Sequence, residues 1–191
     1  MVFEYLTVFV SVVVGLAITQ LLTHLVSIIH RRQHCRVYWV HLIWSLNIFI
    51  WTVAYWWFTF SMAHIEVWTL SLFAFVLIYA ILLYVLMALL FPEDVEPEQD
   101  YRTVFYRNQR WFFGVLFLFL SVDLIDFWIK LETGSGIVTV GPYLAFILPL
   151  IGMAGVAVFS NNERFHQAFA CIFLLWVSAF SVITLPPLIS G

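Results

Sequence analysis

WFFGVLFLFLSVDLIDFWIK, residues Trp111–Lys130, is apolar enough to enter a lipid bilayer and yet carries two acids, Asp123 and Asp126. A central Leu, Ile, Phe or Val gains about 0.3–0.6 kcal/mol on insertion, whereas a central Asp costs about 2.5–3.5. Thirteen such apolar residues between Trp111 and Ile129 therefore bring roughly 4–8 kcal/mol against roughly 5–7 for the acids. The helix is near balance alone, so its stability must come from other helices. Asp126 has a partner in its own helix, Lys130, one turn on and close to the membrane edge. Asp123 has none there. It must find a donor on a neighbouring span, face water, or carry a proton.

Working outward, the rest of the chain supplies those neighbours. Of its 191 residues 64% are hydrophobic and 10% charged, too little polar surface to cover a water-soluble domain. Apolar runs of roughly 19–25 residues recur, which suits a hydrocarbon core about 30 Å thick. They predict an all-α, polytopic membrane protein, one bundle of six transmembrane helices at about 5–29, 37–60, 67–91, 111–129, 137–159 and 165–185. The long polar connection is 92–110, acidic first and then basic. Asp100 is placed to cap a fourth helix that starts there and continues through Lys130. Pro149 lies inside the fifth span, where a kink is expected.

Charge sets the topology. Arg31, Arg32, Arg36, Arg102, Arg107, Arg110 and Arg164 fall on one side and Lys130 on the other. The positive-inside rule then puts the 92–110 loop in the cytoplasm and both termini outside it.

Three segments taken together are FEYLTVFVSVVVGLAITQLLTHL (3–25), VYWVHLIWSLNIFIWTVAYWW (37–57) and RWFFGVLFLFLSVDLID (110–126). They resemble a family of small bacterial multi-pass proteins, and the resemblance covers most of the chain. It implies a bacterial inner-membrane protein and brings no activity or catalytic residue with it.

Counting about 1.5 Å per residue from the Arg-rich end puts Asp123 and Tyr79 roughly 18 Å deep, Pro149 about 15, Gln20 about 13 and Asn47 about 12. A polar slab at mid-depth is the candidate site. Asp123 binds a cation or a proton there, with Tyr79, Asn47 or Gln20 as hydrogen-bond partners and Asp126 as the second carboxylate. The structural account of the same residues is a network that holds helix register. In the first span Ser11, Gly15, Thr19 and Thr23 recur every four residues as a ridge of small side chains for helix packing.

His24, His30, His34, Cys35 and His41 gather near the Arg-rich end. Imidazole and thiolate bind metals, and His24 with His41 makes a bis-His haem conceivable. No metal motif is complete, so no cofactor is expected, and interfacial histidines beside anionic headgroups are the simpler account. Two cysteines make no disulfide framework. No nucleotide loop, hydrolase elbow or zinc-protease motif occurs, which argues against soluble-type catalysis. A net charge of −3 without a basic stripe argues against nucleic acid. Three function classes remain, in this order: a small ion- or proton-coupled transporter or channel, a scaffold or accessory subunit binding itself or another membrane protein, and a haem or metal redox protein.

Overall fold

The computed structural model describes residues 2–31, 36–59, 62–63, 65, 67–91, 100–132 and 139–184. Helices run in the order α1 (Val2–Arg31), α2 (Trp39–Thr59), α3 (Leu70–Leu90), α4 (Tyr101–Glu132), α5 (Val140–Phe159) and α6 (Glu163–Thr184). All six are long and apolar enough to cross a membrane. Among the described residues there is no strand. The chain is an all-helical, multi-pass membrane protein.

Helix ends follow local chemistry. Thr69 caps α3, its Oγ1 accepting from the Leu72 N–H at 3.2 Å. Asp100 caps α4 as its sequence position predicts, Oδ1 accepting from the Arg102 N–H at 2.9 Å. α4 has 32 residues, about 48 Å of helix, so its Arg-bearing first turns overhang the apolar slab. The Tyr101 N–H donates to the Arg36 carbonyl at 3.2 Å and ties that overhang to the start of α2. Asn162 caps α6 through the Arg164 N–H at 3.0 Å. Pro149 sits inside α5, which continues through it.

Ring contacts fix the helix directions. Phe3 meets Trp68 near one end of α1 and α3, and His24 stacks on Phe91 near the other, so these two helices are parallel. Gln109 of α4 bonds the Ala157 carbonyl of α5, while Tyr143 of α5 bonds Asp123 of α4, so these two are antiparallel. α2 packs against α1, α3, α4 and α6, and α5 closes the bundle between α4 and α6.

Inside and outside are equally apolar. Trp44 is fully buried among Phe112, Phe113, Phe169 and Phe173 at 5.1–5.3 Å between ring centres. Leu16, Ile78, Leu118, Leu148 and Leu175 point outward and are exposed. Water would penalise such a surface and acyl chains do not, so contacts between spans depend on shape and on polar pairs.

Candidate functional site: the Asp123 clasp

Asp123 is held by two tyrosines from two other helices. Tyr79 of α3 donates its hydroxyl to Oδ1 in a short hydrogen bond. Tyr143 of α5 donates to Oδ2 at 2.6 Å and shares the same proton with the Asp123 backbone carbonyl at 2.9 Å. Trp51 of α2 in turn donates its indole N–H to the Tyr79 oxygen at 3.0 Å. One carboxyl group thus joins α2, α3, α4 and α5 through a chain of exchangeable protons. Each bond polarises the next in a medium of low dielectric constant.

Rings lock the two donors. Tyr55 stacks on Tyr79 at 4.4 Å and is itself anchored by its hydroxyl on the Val76 carbonyl at 2.8 Å. Phe119 meets the Tyr79 ring edge-on at 4.8 Å. Phe127 stacks on Tyr143 at 3.8 Å. Tyr79 is 1% exposed, so its hydroxyl depends wholly on protein partners.

One turn nearer the other membrane edge, Asp126 pairs with Lys130 at 2.5 Å, the ion pair its spacing predicts. Asp126 is 6% exposed. The polar column therefore runs from Trp51 through Tyr79 and Asp123 to Asp126 and Lys130, toward the end of α4. Above it, toward the Arg-rich edge, stands an aromatic layer in which Trp51 meets Phe119, Phe146 and Phe173.

Of the partners suggested for Asp123 from depth alone, Tyr79 bonds it. Asn47 turns to α6 and donates to the Ala170 carbonyl at 3.1 Å. Gln20 lies on α1, which packs on α3 and α2. Its Oε1 is buried without a hydrogen bond among the described residues. Depth was shared, but azimuth was not. Sequence reasoning missed Tyr143 and Trp51. A signal for Tyr143 existed: on the same count it lies roughly 24 Å deep, within a tyrosine's length of Asp123.

The other candidates are placed as follows. Ser11 accepts the Trp56 indole N–H at 3.2 Å. Gly15, Thr19 and Thr23 face outward. A Cβ on Gly15 would meet nothing within 4 Å among the described residues. The Thr19 and Thr23 hydroxyls donate back to the carbonyls of Gly15 and Thr19, both at 2.8 Å. His24 and His41 stand around Phe91, with ring centres 5.0 and 4.7 Å from it. His41 Nε2 donates to the Leu90 carbonyl at 2.7 Å. His30 is exposed. His34 and Cys35 lie outside the described residues, as do the acids between Glu93 and Glu98. Among the described residues no three His, Cys, Asp or Glu side chains converge as a metal site would need. No family model, curated protein or solved structure matches the chain.

Proposed function

We propose that the protein is a small bacterial inner-membrane transporter or channel in which Asp123 binds a proton or cation. The reading is supported by one observation above all. Each oxygen of a mid-depth carboxyl group is held by a tyrosine from a different helix. A carboxylate only accepts hydrogen bonds, so both phenols can donate to it at once. Once protonated, one oxygen becomes a donor, and the phenol facing it must turn or withdraw. Charge on Asp123 is thereby coupled to the spacing of α3, α4 and α5, which is the coupling that ion-driven transport requires. The Asp126–Lys130 pair extends the column toward one edge, and the aromatic layer lies toward the other. The Arg-rich edge is cytoplasmic in this reading, with both termini outside.

Reconstitution in liposomes tests it. The wild-type protein conducts protons or a small cation down an imposed gradient, and Asp123→Asn abolishes the flux while the melting profile stays cooperative. Full flux in a folded Asp123→Asn protein would remove Asp123 from the pathway.

The outward face of α1 favours a second reading, a scaffold or accessory subunit that binds its own copies or another membrane protein. Small side chains with internally satisfied hydroxyls let a helix approach closely without desolvation cost. A stoichiometric partner that co-purifies with the wild type and is lost in Gly15→Leu would support it.

A further inference from the structure

The carboxyl group of Asp123 is surrounded by donors. Tyr79 gives its proton to Oδ1, and Tyr143 gives its proton to Oδ2 at 2.6 Å. The Tyr79 oxygen in turn faces the Trp51 N–H at 3.0 Å. A metal cation needs the reverse arrangement. Hard cations take several oxygens with free lone pairs, which replace the lost water shell. Asp123 brings two carboxyl oxygens, each already holding a phenol proton, and the indole occupies the Tyr79 oxygen. A proton needs one lone pair only.

The two donors differ in what else they can do. The Tyr143 hydroxyl also lies 2.9 Å from the Asp123 backbone carbonyl, a second acceptor for its proton. A phenol oxygen accepts as well as donates. Tyr143 can therefore keep its own proton on that carbonyl and accept a new one from Oδ2. Tyr79 lacks this freedom. Among the described residues its proton goes to Oδ1, and its oxygen is held by Trp51.

We propose that the ion taken by Asp123 is a proton and not a metal cation, that it lands on Oδ2, and that Tyr143 turns from donor to acceptor to receive it. The role of this proton rests on the transport reading above, and the inference names the ion which that reading leaves open. The step balances. A hydronium ion gives one proton to Oδ2, one O–H bond forms there, and a water molecule is released. Tyr143 keeps its own proton, and nothing is oxidised or reduced. The bonds from Trp51 through Tyr79 to Oδ1 stay in place, so the change falls first on the contact of α4 with α5.

Charge and access point the same way. The titratable groups facing Asp123 are Tyr55 on α2, Tyr79 on α3, Tyr143 on α5 and, on its own helix, Asp126 and Lys130. Asp126 and Lys130 pair with each other. A carboxylate at this depth is costly, and a proton removes its charge. Asp123 also keeps part of its surface open. The other buried polar cluster differs. At the Arg-rich edge His166 Nδ1 and the hydroxyls of Tyr38 and Tyr106 are closed and have no hydrogen bond among the described residues.

Infrared spectroscopy of the full chain in lipid nanodiscs, titrated from about pH 9 to about pH 4, reads the proton directly. The expected result is a carboxylic-acid C=O band that rises reversibly as pH falls and is missing in Asp123→Asn. Asp123→Glu, which keeps the acid and moves the band, assigns it if that variant does not fold. Its midpoint is expected to be the same in low Na⁺ or K⁺ and at a hundredfold higher concentration, with ionic strength held by choline. A competing cation would move it by up to about two units. Tyr79→Phe should move the midpoint by about one unit. Tyr143→Phe should move it by less than half as much, because Tyr143 has a bond to lose in both protonation states. A midpoint that follows Na⁺ or K⁺, or no titrating acid band while the fold holds, would overturn the proton. Equal shifts in the two variants, or the larger one in Tyr143→Phe, would overturn its place on Oδ2. Titration at Asp123 without flux in liposomes would keep the proton site and remove transport. Cation flux with a cation-dependent midpoint would do the opposite, so the two readings fail separately.

Discussion

The Asp123 clasp and the His166 cluster hold comparable polar groups in opposite conditions. At Asp123 both carboxyl oxygens have a donor, and Tyr79 both accepts and donates. At His166 one ring nitrogen and two neighbouring hydroxyls are buried with no hydrogen bond among the described residues. A buried polar group that is bonded holds helices together, and one that is not carries the cost of its lost water. The first region therefore specifies the packing of four helices. The second carries that cost.

That contrast can be broken by substitutions of similar size. The largest effect is expected at Asp123→Ala, which strips both phenols of their acceptor. Hydrogen bonds to a charged group are worth about 1.5–3 kcal/mol each, less in a membrane, where the unfolded chain also finds partners. The expected loss is about 2–4 kcal/mol, read as a fall in unfolding free energy in mixed micelles. Lys130→Met should follow at about 2 kcal/mol, between the limits for exposed and buried pairs. A loss near zero would mean that Asp126 reaches solvent or sheds its charge without Lys130.

Tyr79→Phe should cost about 1–2 kcal/mol, because it orphans both the Trp51 N–H and one Asp123 oxygen. Combined with Tyr143→Phe it should be non-additive by at least about 0.5 kcal/mol, since both donors share one carboxyl group. Tyr38→Phe is the sharpest opposite. Removing a buried hydroxyl that makes no hydrogen bond among the described residues should leave stability unchanged or raise it by up to about 1 kcal/mol. If Tyr38→Phe destabilised the bundle as much as Tyr79→Phe, the two regions would not differ as described. The smallest effect belongs to Gly15→Ala, where open space receives the methyl group. Stability of a single chain should stay within about 0.5 kcal/mol, and a larger change that grows with protein concentration would show that another chain covers the ridge.

Six spans could be read from residue order because bilayer thickness imposes a length and lipid imposes an apolar composition, and both are local properties of the chain. The Asp126–Lys130 pair was legible for the same kind of reason: one helical turn separates the two residues, whatever surrounds them. Asp123 announced its need for a donor, since charge in an apolar run has few remedies. Which donors answered could not be read there. Asn47 and Gln20 share the slab with Tyr79 yet turn elsewhere, and Tyr143 reaches Asp123 from a different depth. Those outcomes depend on how far each helix is rotated about its axis and slid along its neighbours. Interdigitating rings such as Tyr55 on Tyr79 and Phe127 on Tyr143 set both quantities, and only the assembled bundle brings them together.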